Sequence, residues 1–273
     1  MVELTRDDIA GYIDAWRAAG VTDAVGDGPA DWFALVDQRR ATLKSADAKP
    51  SAPPAERRWA PASVSPVVRP AAAPSAASAQ AHATAAAAQS LDDLLRQIEA
   101  FEGCGLKATA KSLCFYRGAP KARLMLIGEA PGRDEDIEGK PFVGRAGQLL
   151  DKMLAAIGID DGKVHIANTV YWRPPGNRTP TAEETLACAP FVARQIELVA
   201  PEVIVLLGGV AAKSVLGLTE GILKLRGKWR NLSVSGREVQ TLATLHPAYL
   251  LRTPAAKRQV WQDLQLIAAA LAT

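Results

Sequence analysis

Residues 128 to 144 read GEAPGRDEDIEGKPFVG and follow the apolar run Arg123-Leu124-Met125-Leu126-Ile127. Five carboxylates, Glu129, Asp134, Glu135, Asp136 and Glu138, crowd a loop that opens through Gly128, Pro131 and Gly132 and runs on to one aromatic residue, Phe142. The carboxyl end of a parallel strand is where α/β proteins bind ligands, and small residues let a ligand approach the backbone. Three further apolar runs end in comparable loops: ANTVYWRPPGNRTP, LLGGVAAKS and ATLHPAYLLR. Backbone amides at Gly132, Gly208 and Gly209, with Arg173, Arg178 and Arg252 nearby, suit the phosphates of a polyanion. Four such loops on one edge are a stronger signal than any one of them.

The elements that must hold these loops are legible as periodicity. Apolar runs at 123–128, 164–170, 203–208 and 239–245 read as buried strands, and amphipathic stretches at 91–101, 146–157, 182–199, 210–216 and 256–271 alternate with them as helices. Strand and helix alternation predicts an α/β fold: three layers, α/β/α, around a central, mainly parallel four-stranded sheet. This domain is expected to span residues 89–273.

Ahead of it lie two segments of different character. Residues 46–88 hold 18 alanines and 7 prolines in 43 positions, too little apolar bulk to offset ordering entropy, and are expected to be a disordered linker. Residues 1–45 carry helical periodicity through Ile9, Tyr12, Ile13 and Trp16, and read as a small helical segment that docks an unidentified protein partner.

Composition excludes several classes of function. No apolar stretch reaches the roughly 18 to 20 residues that cross a bilayer, and the start MVELTRDDIAGYIDAW lacks a signal-peptide layout, so a cytoplasmic protein with no membrane partner is expected. Three cysteines without a CxxC pair argue against a disulfide framework. Residues 89–273 carry a net charge of +4 and the preceding 88 residues −1, an asymmetry that suits a polyanionic partner.

Taken in order, GEAPGRDED, GKPFVGRAGQLLDKML, N-x4-RPPGNRTP, LLGGVAA, LRGKW and HPAYLLR resemble the uracil-DNA glycosylase superfamily, most closely its family 4 type. The resemblance implies a monofunctional, monomeric enzyme that flips uracil out of DNA and removes it hydrolytically, starting base excision repair. It assigns the flipped base to Phe142, as stacking surface, and to Asn168, as reader of the base edge, with Ala130 beside them. His246 would donate a hydrogen bond to uracil O2. Glu129 and Glu135 are the acidic candidates for holding the attacking water and facing the sugar cation, with Asn177 as helper. The better-known members carry an aspartate where Ala130 stands, so a strong general base is missing there and electrostatics must do more. Gly132, Gly209, Arg173, Arg178 and Arg252 would contact DNA, and Leu250 or Leu251 would wedge into the vacated stack.

Two alternatives accompany this reading: a non-catalytic DNA-binding module of the same fold, and a glycosylase preferring another damaged base. The resemblance also implies a four-iron cluster, from which the chain departs. The positions expected to supply four cysteines hold Phe101, Cys104, Trp172 and Cys188, so only two thiols remain and no cofactor is expected.

Overall fold

A computed structural model describes residues 76–272; the segment expected at 1–45 and most of the expected linker lie outside the described residues. The chain runs through α1 (Ala76–Ala87), α2 (Leu91–Ala100), β1 (Arg117–Gly118), β2 (Leu124–Gly128), α3 (Arg133–Glu138), α4 (Arg145–Ala155) and β3 (Val164–Asn168). It continues through α5 (Ala182–Val199), β4 (Val203–Leu207), α6 (Gly209–Leu216), α7 (Ile222–Leu225), β5 (Trp229–Val234), β6 (Arg237–Thr244), α8 (Pro247–Arg252) and α9 (Lys257–Leu271).

The four predicted strands lie side by side and parallel, in the order β3-β2-β4-β6. Every residue of β2, β3 and β4 is buried, as expected of strands covered on both faces. Alternation along β2 sends Met125 and Ile127 into a core shared with α1, α2, α5 and α6, and Leu124 and Leu126 into one shared with α4 and α9. These are the three expected layers.

The sheet is wider than four strands. β1 adds antiparallel to β3, and β5 adds antiparallel to β6 through a two-residue turn at Ser235 and Gly236, both with positive φ, 48° and 78°. That is the geometry of a type I′ hairpin. The half-exposed sequence WRNLSV of β5 gives no continuous apolar run and hides the strand.

The expected disordered linker ends earlier than residue 88. After Pro74 the chain is alanine-rich and free of proline, which favours helix. Ala81, Ala85 and Ala88, on one helical stripe, are buried with α5. Arg194 of α5 closes the end of α1 by donating from Nε and Nη2 to the Ala88 carbonyl, at 3.0 and 2.7 Å. Small side chains bury here because they let two helices approach closely, a route that average composition does not register.

Candidate active site

In the register of β2 and β3, Gly128 pairs with Asn168, so the two strands end level and release their loops together. Thr169 laces those ends, its amide donating to Gly128 O at 2.9 Å and its hydroxyl to Glu129 O at 2.6 Å. The loops after β2, β3 and β6 enclose a cavity of about 440 Å³. Its walls include Glu129, Ala130, Gly132, Glu135, Phe142, Asn168, Asn177, Arg178, His246 and Arg252.

Phe142 sits in the left-handed region at φ 57°, although it is not glycine. That strained turn presses its carbonyl against Gly147 of α4, where any Cβ would overlap it, so the GRAG spacing is what allows the turn. The ring is buried and stacks on His246, with centroids 5.5 Å apart and planes inclined by 29°. Asn168 is 1% exposed, and its Oδ1 has no hydrogen-bond partner. A buried unpaired acceptor costs about 1 to 3 kcal/mol, so the site is built for a donor that arrives with the ligand.

His246 caps α8: its Nδ1 accepts from the Ala248 amide at 3.1 Å. The ring's own proton must then sit on Nε2, the remaining nitrogen. Burial, followed by the nearby Arg252 charge, pushes the imidazole down to about 4, so it is neutral under ordinary conditions and offers one N–H.

The two acidic candidates separate. Both oxygens of Glu135 are taken by loop amides, from Gly132 at 3.1 Å and Gly144 at 3.0 Å. Glu135 therefore ties the loop together, one oxygen on each amide, and lines the cavity in that pose. The Glu129 carboxylate lines the cavity, and among the described residues it makes no hydrogen bond or ion pair. Asp136 is buried, accepts from the Lys111 and Ser112 amides and lies 3.9 Å from Arg173, which fixes a neighbouring loop.

Several predicted contacts are redirected. Arg173 Nε–H donates to Asn177 Oδ1 at 2.7 Å, which ties the two side chains together. Arg178 is held in a two-pronged pair with Glu184, at 2.8 and 2.6 Å, and rims the cavity in that pose. Leu250 is 1% exposed and belongs to the core, so it cannot wedge into DNA; Leu251 is 39% exposed. Gly209 begins α6, outside the cavity lining, whereas Arg252 is exposed on its rim. Sequence reasoning passed over Tyr249, which lines the cavity three residues beyond His246, a spacing that itself marks a shared helical face.

The thiols are buried apart from this cavity. Cys104 and Cys188 lie with their sulfurs 3.9 Å apart. Phe101 packs edge-on against Phe191 at 5.0 Å and Trp172 against Tyr171 at 6.2 Å; these are the two positions at which the sequence resemblance expects cysteines. Cys114 is occupied elsewhere, donating to Glu135 O at 3.1 Å. Two facing thiols in a core cluster that also holds Phe101 and Trp172 do not fit a four-iron cluster, which takes four.

The Uracil DNA glycosylase superfamily profile covers residues 115–265, and the chain belongs to that superfamily. Within it, the chain is 40% identical over 183 residues to the Type-4 uracil-DNA glycosylase of Archaeoglobus fulgidus, covering 66% of this chain and 92% of that protein. It is 38% identical over 182 residues to the Type-4 uracil-DNA glycosylase of Pyrobaculum aerophilum, covering 65% and 91%. Against the protein of that name from Thermotoga maritima it is 40% identical over 168 residues, covering 59% and 84%.

Proposed function

We propose that the chain is a monofunctional glycosylase that extrudes uracil from DNA and hydrolyses its N-glycosidic bond, the entry step of base excision repair. The observation that carries this reading is the unpaired Oδ1 of buried Asn168 beside the Phe142 ring. Uracil stacked on Phe142 meets that oxygen with N3–H and the Asn168 amide N–H with O4. Cytosine presents the opposite polarity at both atoms and leaves the buried pair mismatched, a discrimination of about 1 to 4 kcal/mol.

When the bond to C1′ breaks, its electron pair stays on uracil N1 and spreads to O2, and the sugar is left cationic. His246 Nε2–H faces O2 as a fixed dipole, an arrangement worth roughly 3 kcal/mol. The Glu129 carboxylate faces the cation and orients the water that adds at C1′, whose proton ends on the uracil anion. Ala130 leaves no second acid beside it, and no lysine lines the cavity to form a Schiff base. Gly132, Gly209 and the exposed Arg252 are the phosphate contacts in this reading. The catalytic unit extends from α1 onward, because α1 is packed into its core.

A resident iron-sulfur cluster is not part of this proposal. Phe101 and Trp172 occupy the positions of two of its thiolates, so aromatic packing holds this end of the fold.

The test incubates protein with a single-uracil oligonucleotide and then with alkali. Cleavage only after alkali, and its loss by on the order of 100-fold or more in Asn168→Ala with unchanged circular dichroism, is expected from the electrostatic contributions above. Binding without alkali-labile product would establish a non-catalytic module instead.

A further inference from the structure

We propose that Tyr249 is the plug that fills the base stack when the uracil leaves it; this deepens the glycosylase reading and rests on it. Extruding a nucleotide from a duplex leaves a gap between two base pairs, and enzymes that bend or flip DNA fill such gaps with a side chain of matching breadth. The plug must stand at the rim of the base cavity, be exposed in the free protein and be rigidly placed.

Tyr249 meets all three conditions. Its side chain is 38% exposed, lines the cavity and makes no hydrogen bond or ring contact among the described residues. A bare aromatic ring at a cavity rim has a face free for stacking on a base. Its two neighbours do not compete: Leu250 is the buried anchor of α8, and Leu251, though exposed, is not among the residues lining the cavity. On this short helix His246, Tyr249 and Arg252 recur every three residues, and all three line the cavity.

That spacing couples two events. The Ala248 amide donates to His246 and Leu250 is locked in the core, so α8 holds these side chains as one rigid piece. A Tyr249 ring seated between base pairs therefore stands in a fixed relation to His246 at the extruded base, with Arg252 one turn on for the flanking phosphate. Single-stranded DNA has no closed stack to refill, so the ring matters chiefly on duplex.

The experiment measures single-turnover uracil release from duplex and single-stranded oligonucleotides, with 2-aminopurine next to the uracil reporting unstacking on duplex. Tyr249→Ala is expected to lower the duplex rate about tenfold or more beyond its effect on single strands, and to abolish the fluorescence rise on binding. Tyr249→Phe is expected to restore both. An active wild type whose Tyr249→Ala variant is impaired equally on both substrates, or on neither, overturns the plug alone, as does a duplex-selective loss confined to Leu251→Ala. A wild type that leaves uracil in both substrates overturns the glycosylase reading and the plug with it.

Discussion

Phe142 and Asn168 converge over one bare Cα, that of Gly128 at the end of β2. A Cβ built there would lie 2.5 Å from Asn168 Oδ1 and closer still to the Phe142 ring. Gly128 is locked in register opposite Asn168, so the backbone cannot yield. Gly128→Ala should push out both base-contacting groups at once. We expect uracil release to fall by on the order of 100-fold, with overpacking costing about 1 to 3 kcal/mol in a denaturant melt. Near wild-type rates in a folded Gly128→Ala protein would mean that these groups do not hold the base.

The two glutamates should part in their consequences. Glu129→Gln removes a free carboxylate from the cavity wall and is expected to slow uracil release by roughly 10- to 100-fold while leaving the melting temperature almost unchanged. Glu135→Gln turns an amide N–H toward one of the two backbone donors that now bind carboxylate oxygens. That clash should destabilise the fold by about 1 to 3 kcal/mol, and activity should follow stability. An inactive Glu135→Gln protein that melts like wild type would return Glu135 to the chemistry.

The parts of this arrangement that sequence revealed are those set by one-dimensional pattern. Unbroken apolar runs ending in glycine or asparagine located the parallel strands, and the loops at their ends delivered Phe142, Asn168 and His246 into one cavity. What stayed hidden depends on which partner wins among chemically equal ones. Nothing in the spacing of GEAPGRDEDIEG says that Glu135 would take two amides and Glu129 none. Likewise, Leu250 and Leu251 differ only in helical phase, and a six-residue helix is too short for its phase to be read. The missed strand β5 did leave a trace, the Ser235-Gly236 dipeptide between alternating residues.

Stability should fall on acidification because of a buried histidine outside the site. His165 Nδ1–H donates to Ala119 O at 2.8 Å, and its Nε2 accepts from Gln195 at 3.0 Å, whose Oε1 accepts from the Tyr171 hydroxyl at 3.0 Å. Protonation would set an N–H against the Gln195 amide. Burial pushes His165 down to about 4 from its ordinary 6.5. The folded state thus binds fewer protons than the unfolded state between these values, so the contribution is complete above the upper value and is lost as pH falls toward the lower one. A depression of this size corresponds to about 3 kcal/mol. Urea midpoints should drop over that window and drop less in His165→Asn; an equal drop in the variant would place the acid sensitivity elsewhere, with His246, also depressed to about 4, as the next candidate.

Iron content provides the last prediction. A four-iron cluster needs four thiolates, and here Cys104 and Cys188 face each other at 3.9 Å in a core cluster that also holds Phe101 and Trp172, 4% and 3% exposed. Replacing those two positions by iron ligands would mean displacing two buried aromatic side chains, each worth roughly 3 kcal/mol or more of burial and packing. Anaerobically purified protein is expected to be colourless, without stoichiometric iron, and to keep its uracil release after chelation. Cys188→Ala should cost only about 1 to 2 kcal/mol, the scale of a small core truncation, and leave excision in place. Brown protein whose iron and melting temperature are both lost on substituting Cys104 or Cys188 would show that the two thiols recruit other ligands and that the core around them opens to admit iron.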